Sequence, residues 1–162
     1  MTTKQLDGLA QPQLSVEEIA EQILELDVGL VFDSNWGERA VFYNPGRILK
    51  KGIYIATFKE RDGQNDKASK LDRGGLFRLN VGLTKAAYFP LFGFPPARPA
   101  AGQTIDSDHN FTALDTVTPH PVYGWMSWVA IINPSQASFE RLTPLIIESL
   151  ELAREKFKKR AG

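Results

Sequence analysis

Two polar side chains in the segment LFRLNV (76–81) have the chemistry and the spacing to bind an anion. Apolar residues at positions 77, 79 and 81 alternate with Arg78 and Asn80, so a strand here places the polar pair on one face and the apolar residues on the other. A guanidinium beside an amide can hold a carboxylate or phosphate through two hydrogen bonds. The pattern equally suits a structural role, in which Arg78 pairs with a loop carboxylate such as Asp72.

The segment DKASKLDR (66–73) places further charged residues directly before that strand. Asp66, Asp72 and Arg73 could close over a ligand bound on the sheet, or they could form a charged surface loop. His120 lies between Pro119 and Pro121, which restrict the backbone around it and so could preorganise a functional imidazole. The alternative is a rigid corner whose ring bonds to a backbone carbonyl.

Aromatic residues cluster at 123–128 (YGWMSW). Trp128 falls in an apolar strand, so we expect it in the core. Trp125 falls in the preceding loop beside a glycine, and an exposed tryptophan there could cover a ligand or form an interface, although loop packing explains it too. These considerations make Arg78, Asn80, Asp72, Arg73, His120 and Trp125 the candidate ligand-binding residues.

Several chemistries lack the residues that they need. The chain has no cysteine, which excludes disulfides, thiol catalysis and cysteine-based metal sites. It contains no phosphate-binding glycine motif and no GxSxG serine context. The segment DSDH (106–109) offers ligand atoms but no EF-hand skeleton, so ordinary turn residues are the expected explanation. We therefore predict no catalytic residue, no metal and no cofactor.

The net charge of the chain argues against a partner that binds mainly through electrostatic attraction. Nineteen basic and nineteen acidic residues cancel, so no global field attracts nucleic acid or an anionic membrane. The basic C-terminus (REKFKKRAG) could contact nucleic acid, although cations at the end of a helix also offset its dipole. Nucleic acid is therefore a disfavoured but open partner, beside a small anionic ligand or a protein, and no membrane is expected. The oligomeric state does not follow from the sequence.

The elements that carry these residues follow from hydrophobic spacing. Ser15 and Glu18 have the spacing of a capping box at the start of an amphipathic helix. The pattern then predicts a hairpin (29–32 and 40–43, with 33–38 as its turn), strands at 53–58, 76–81 and 127–133, a short helix capped by Thr84 and ended by Gly93, and a C-terminal helix that Pro144 is expected to kink. Long loops fill 60–75 and 93–123.

Consecutive strands with short connections favour antiparallel pairing. We predict an α+β two-layer sandwich with a mostly antiparallel sheet and helices on one face. Residues 1–14 are predicted to be a flexible leader and residues 15–158 a single domain. The polar N-terminus has no apolar signal core, and no apolar run reaches the roughly 20 residues of a membrane span, so we expect a cytoplasmic protein.

The C-terminal third, SWVAIINPSQASFERLTPLIIESLELAREKF, and the strand RLNVG (78–82) resemble the YjbR/MmcQ-like proteins. More closely, KLDRGGLFRLNVG, FTALD and PHPVY resemble an uncharacterised bacterial family with a domain of unknown function, over residues 28–158. The resemblance implies a fold like that of type III secretion chaperones and no settled activity. DNA binding has been suggested for YjbR-like proteins from the fold alone, and the Pro-rich 92–110 loop here departs from that group.

Three functional hypotheses follow. The leading one is a non-enzymatic binding domain for a small anionic ligand or a peptide on the polar sheet face around Arg78 and Asn80, with His120 and Asp72 in support. The second is a YjbR-like nucleic-acid-binding protein. The third is an enzyme that uses His120 with Asp115 or Asp72 as an acid–base pair.

Overall fold

A six-stranded antiparallel sheet runs through the protein, in the order β1-β2-β3-β4-β6-β5. The computed structural model describes residues 12–35 and 37–162. The strands are β1 (Leu30–Asn35), β2 (Glu38–Tyr43), β3 (Ile53–Lys59), β4 (Arg78–Gly82), β5 (Thr118–Pro119) and β6 (Trp128–Ile132). The helices are α1 (Val16–Leu24), α2 (Lys85–Phe92) and α3 (Gln136–Ala161). The predicted α+β sandwich is confirmed.

Side-chain caps explain where the helices begin. Ser15 accepts a hydrogen bond from the backbone N–H of Glu18, and the Glu18 carboxylate accepts one from the backbone of Ser15, which confirms the predicted capping box. Thr84 caps α2 and Gly93 ends it, as predicted. Ser135 caps α3, which then continues through Pro144 as one helix. The proline therefore does not divide this helix.

The sheet has one apolar face, which the helices cover. Alternate residues of the central strands, among them Val41, Phe58, Leu79 and Ile131, are almost fully buried against α1 and α3. The opposite face carries Ala40, Thr57, Asn80 and Ala130, which are neighbours in the strand register. We call this second surface the open face. The predicted alternation in β4 is confirmed: Leu79 and Val81 join the core, while Arg78 and Asn80 lie on the open face.

A β-bulge in β3 changes which side chains reach the open face. Val41 of β2 pairs with Ala56, but the next residue, Phe42, pairs with Tyr54, so Ile55 has no partner of its own across the ladder. A bulge of this kind puts two consecutive residues on one side. Ile55 and Ala56 are accordingly both buried in the core. Tyr54 therefore lies on the open face together with Thr57.

The structure adds detail to three parts of the prediction. The hairpin strands extend into 33–38, because β1 and β2 pair as far as Asn35 and Glu38. The short strand β5 was missed inside the 93–123 loop. At the end of the predicted leader, Gln13 forms a bridge with Ser135 and the Leu14 N–H bonds to the Pro134 carbonyl at 3.0 Å. The rest of that leader, residues 1–11, lies outside the described residues.

None of the helices in the described part of the chain is both long and apolar enough to cross a membrane.

A candidate ligand-binding pocket on the open face

A cavity of about 520 Å³ opens on the open face. Its floor is formed by Ala40, Thr57 and Asn80, which lie side by side on three adjacent strands. These side chains are short, so they leave the space above the sheet unfilled. The 60–75 loop and the 93–123 loop form its walls. Its other lining residues are Glu38, Tyr54, Lys59, Gly63, Asn65, Asp66, His120, Val122, Tyr123, Met126 and Trp128.

Arg78 connects the sheet to both loops from beneath the pocket. Its side chain is 1% exposed. Nη1 donates to Asp66 Oδ1 at 3.0 Å and to Ser69 Oγ at 2.9 Å, and Nη2 donates to Asp66 Oδ2. Nε donates to Asn80 Oδ1 at 2.7 Å. This near-complete set of charge-assisted hydrogen bonds is what a buried guanidinium requires. Arg78 thus pairs with a carboxylate of the loop before its strand, and that carboxylate is Asp66 rather than Asp72.

The 60–75 loop holds Asp66 in position through its own hydrogen bonds. Gly63 and Asp66 pair through their backbones at 2.9 and 3.3 Å. The Asp62 carboxylate accepts from the Leu71 N–H, and the Asp72 carboxylate accepts from the Asp62 N–H. Asp72 therefore stabilises the loop from outside the pocket.

Arg73 joins the two loops to each other. Its guanidinium donates to the carbonyl of Ser69 in its own loop and to the carbonyl of Thr112 in the 93–123 loop, both at 3.1 Å. Arg73 is exposed and is not among the lining residues of the pocket. Arg73 therefore connects the two walls of the pocket to each other and does not contact its interior.

His120 is fixed by the backbone on both sides of its ring. Its N–H donates to the Trp128 carbonyl, and its carbonyl accepts from the Gly124 N–H. The ring Nδ1 accepts from the backbone N–H groups of Val122 at 3.1 Å and Tyr123 at 3.0 Å. The ring therefore bonds to backbone amides rather than to the backbone carbonyl that the alternative role assumed.

The protonation states of the buried groups follow from their surroundings. Burial, together with the positive charges of Arg78 and Lys59, lowers the pKa of His120 to about 3 against the opposing effect of Asp66. The ring is therefore neutral at physiological pH. Burial alone would raise the pKa of Asp66, but the hydrogen bonds and charge of Arg78 outweigh burial and hold this pKa below its usual value. Asp66 is an anion, paired with a buried cation.

The pocket has a polar end and an aromatic end. Lys59 and Glu38 lie at the polar end with Asp66 and His120, and Lys59 Nζ donates to Glu38 Oε2 at 3.4 Å. Tyr54 and Trp128 lie at the other end of the floor. Trp128 lies across Gly82, because a Cβ on that glycine would come within 2.9 Å of the indole ring. A molecule in this pocket would meet charges at one end and aromatic rings at the other.

The candidate residues divide into three groups. Asn80 and His120 line the pocket, and Arg78 bonds to Asn80 from below and lies 3.1 Å from His120 Nε2. Asp72 and Arg73 stabilise the loops. Trp125 is half-buried, and the Arg98 guanidinium lies 4.8 Å from the centre of its ring. The pocket therefore gathers part of the predicted set.

Two other expectations were wrong. Trp128 belongs to the open face and lines the pocket, because Val129 and Ile131 take the core positions of β6. The carboxylate near His120 is Asp66, whose Oδ2 is 3.9 Å from Nε2. Asp115 instead accepts from the Ser135 N–H at the start of α3.

Sequence reasoning missed several residues of the pocket. Lys59 and Tyr54 were not among the candidates, although Thr57 and Lys59 share a face by simple alternation. Tyr54 reaches that face only because of the bulge.

In the segment 106–109, His109 bonds to Ser107 and packs against Phe92. Among residues 12–35 and 37–162, no group of three histidine or acidic side chains is arranged to hold a metal ion.

Comparison with known proteins assigns the chain to a family without a described activity. A family of unknown function, DUF6194, matches residues 14–162, and the chain belongs to this family. Neither the curated proteins nor the solved structures yielded a match. The function must therefore be argued from the pocket.

Proposed function

We propose that this protein is a non-enzymatic binding domain that holds a small anionic ligand in the open-face pocket. The observation that carries the proposal is the cavity of about 520 Å³ above the floor formed by Ala40, Thr57 and Asn80. Its size falls within the range of roughly 300–1,000 Å³ that is typical of small-molecule sites. Apolar walls with a few convergent polar groups are also typical of such sites.

The hydrogen bonds that connect the walls of the pocket support a binding role. Arg78 bonds to Asp66 and Ser69 of one wall. Arg73 joins this wall to the other through the carbonyls of Ser69 and Thr112. A preformed pocket avoids the entropic cost of ordering its walls when a ligand binds. An anion suits the polar end, where Lys59 provides a positive charge. An acidic side chain of a peptide is the second form that such a ligand could take.

An acid–base enzyme has less support. A general base works best when its pKa lies near the working pH, and the pKa of His120 is about 3. Asp66, its neighbouring carboxylate, is already engaged by Arg78. YjbR-like nucleic-acid binding would depend on Lys158, Lys159 and Arg160 in the last turn of α3, where these cations also offset the helix dipole.

The test is a thermal-shift screen of the full chain against small carboxylates, phosphates, nucleotides, short acidic peptides and short DNA. A ligand at 100 times its Kd adds about 2.7 kcal/mol of stability, which raises Tm by roughly 5–10 °C for a domain of this size. Ala40→Met extends a side chain from the floor into the cavity. Ala101→Met adds the same side chain at an exposed position and is the matched control.

We expect hits from the anionic classes that Ala40→Met abolishes and Ala101→Met retains. Tyr123→Ala, which removes part of one wall at a half-exposed position, is a second variant in case Ala40→Met does not fold. Hits that survive both pocket variants would contradict the proposal. So would the absence of any hit, or a response confined to DNA.

A further inference from the structure

The tautomer of His120 can be read from its hydrogen bonds. A neutral imidazole has one protonated nitrogen and one bare nitrogen. Nδ1 receives two backbone N–H groups, from Val122 and Tyr123, and a backbone N–H can only donate. Nδ1 must therefore be bare, and the proton of the ring must be on Nε2.

The Nε2–H group faces another donor. Arg78 Nη2 lies 3.1 Å from Nε2, but a guanidinium has no acceptor atom, so this contact is not a hydrogen bond from His120. The nearest carboxylate oxygen, Asp66 Oδ2, is 3.9 Å away, which is beyond hydrogen-bond distance. His120 is 3% exposed. Within the described residues its Nε2–H thus has no acceptor, although the residue lines the pocket.

A buried donor without an acceptor is costly, of the order of 1–3 kcal/mol. Proteins therefore rarely keep one unless water or a ligand completes it. An oxygen atom placed in the pocket beside Nε2 would remove this deficit.

Lys59 supplies a second donor at the same end of the pocket. Its side chain is 11% exposed, and its contact with Glu38 Oε2 is long at 3.4 Å. An ammonium group has three N–H donors. Its Nζ lies beside Gly63, since a Cβ on that glycine would come within 2.9 Å of it.

The aromatic end of the pocket indicates the chemistry of the rest of the ligand. Tyr54, Tyr123 and Trp128 provide flat apolar surfaces around the cavity. Aromatic side chains favour stacking or edge contacts with another ring. A planar ring is therefore the body that these walls accommodate best.

We infer that the pocket recognises a carboxylate carried on a planar aromatic ring, with the Lys59 ammonium and the Nε2–H of His120 as donors to the carboxylate. This inference rests on the proposed function and names its ligand class. Glu38 competes with the ligand for Lys59. His120 acts as a specificity-determining donor rather than as an acid or base.

The test compares three probes by calorimetric titration of the full chain: 2-naphthoate, 2-naphthamide, which lacks the charge, and cyclohexanecarboxylate, which lacks the aromatic ring. We expect 2-naphthoate to bind at least tenfold more tightly than either of the others. Lys59→Met should weaken 2-naphthoate binding roughly 10–100-fold, the range for a hydrogen bond to a charged group. Glu38→Gln should strengthen it, because the competing carboxylate is removed.

Two substitutions of His120 separate its roles. An asparagine places its side-chain oxygen near the position of Nδ1, so His120→Asn keeps an acceptor for Val122 and Tyr123 but removes the donor. His120→Gln places an amide N–H near the position of Nε2 and keeps the donor. We expect His120→Asn to lose at least tenfold in affinity for 2-naphthoate and His120→Gln to retain more of it.

A direct readout is the long-range proton–nitrogen NMR spectrum of His120, which distinguishes a protonated Nε2 from a protonated Nδ1. A proton on Nδ1 would overturn the inference, as would equal binding of the three probes or an unchanged affinity in His120→Asn. If the screen yields ligands that compete at the pocket but carry no carboxylate, the inference fails and the proposed function stands. If no small molecule of any class binds, both fail.

Discussion

Removal of the Asp66 carboxylate should destabilise the protein far more than removal of a surface carboxylate. Asp66 accepts two hydrogen bonds from Arg78, whose side chain is 1% exposed. Asp66→Ala leaves that guanidinium buried with only Ser69 and Asn80 as acceptors. Breaking a buried pair in this way costs about 3–5 kcal/mol.

The structure places the expected value at the lower end of that range. The Asp66 side chain is 16% exposed, so water can partly replace the lost carboxylate. We expect a loss of about 3 kcal/mol, which corresponds to a fall in Tm of roughly 6–12 °C for a chain of this length. Denaturant unfolding, monitored by tryptophan fluorescence, measures the free energy of unfolding directly.

The matched control is Asp33→Ala. Asp33 pairs with Arg47 at 3.3 Å, but more than half of each side chain is exposed. An exposed pair of this kind adds little to stability, so the unfolding midpoint should hardly change. The double variant Asp66→Leu with Arg78→Met removes both buried charges and should recover much of the loss. If Asp66→Ala and Asp33→Ala lowered the free energy of unfolding by equally small amounts, the view that the Arg78–Asp66 pair stabilises the pocket walls would be refuted.

Two further predictions concern His120 and Gly82. His120 has a folded-state pKa of about 3 against an ordinary 6.5, so below pH 6.5 the unfolded state takes up a proton that the folded state does not. Stability should therefore be full above pH 6.5 and fall by roughly 2 kcal/mol by pH 5. Asp66, which also faces the ring, stays an anion over this range, because the hydrogen bonds and charge of Arg78 hold its pKa below the usual value. Urea unfolding at several pH values measures how the free energy of unfolding changes with pH. His120→Asn should remove this dependence, and His109→Gln, at an exposed histidine, should leave it intact. An unchanged dependence in His120→Asn would contradict the prediction. Gly82→Ala would push a Cβ against Trp128, so we expect altered tryptophan fluorescence and weaker ligand binding at the pocket, whereas an unchanged spectrum would show that the indole does not lie across β4.

Much of the fold was predictable because local patterns decide it. Two examples are the capping box at Ser15 and Glu18 and the alternation around Arg78 and Asn80. Both patterns depend only on residues that are close to each other in the chain. The elements that were missed depend on partners far away. The bulge at Ile55 exists only in the pairing of β3 with β2, and β5 is two residues long and exists only because β6 lies beside it.

The site was predicted less completely for the same reason. The choice of Asp66 over Asp72 as the partner of Arg78 depends on how the 60–75 loop folds back through the Gly63–Asp66 pair. That choice is invisible in the sequence, where both carboxylates precede the strand. Trp128, in contrast, could have been placed correctly. Its neighbours Val129 and Ile131 alternate with it, so the core face of β6 excludes it.

The central claim is that the open-face pocket binds a small anion, and chemical-shift mapping tests it most directly. The amide spectrum of the full chain would be followed during titration with 2-naphthoate and with short DNA. We predict that 2-naphthoate shifts the amides of Lys59, Asn80 and Tyr123, and that Ala40→Met suppresses these shifts. Shifts confined to the last turn of α3, around Lys158 and Lys159, or no shifts with any anion, would contradict the account.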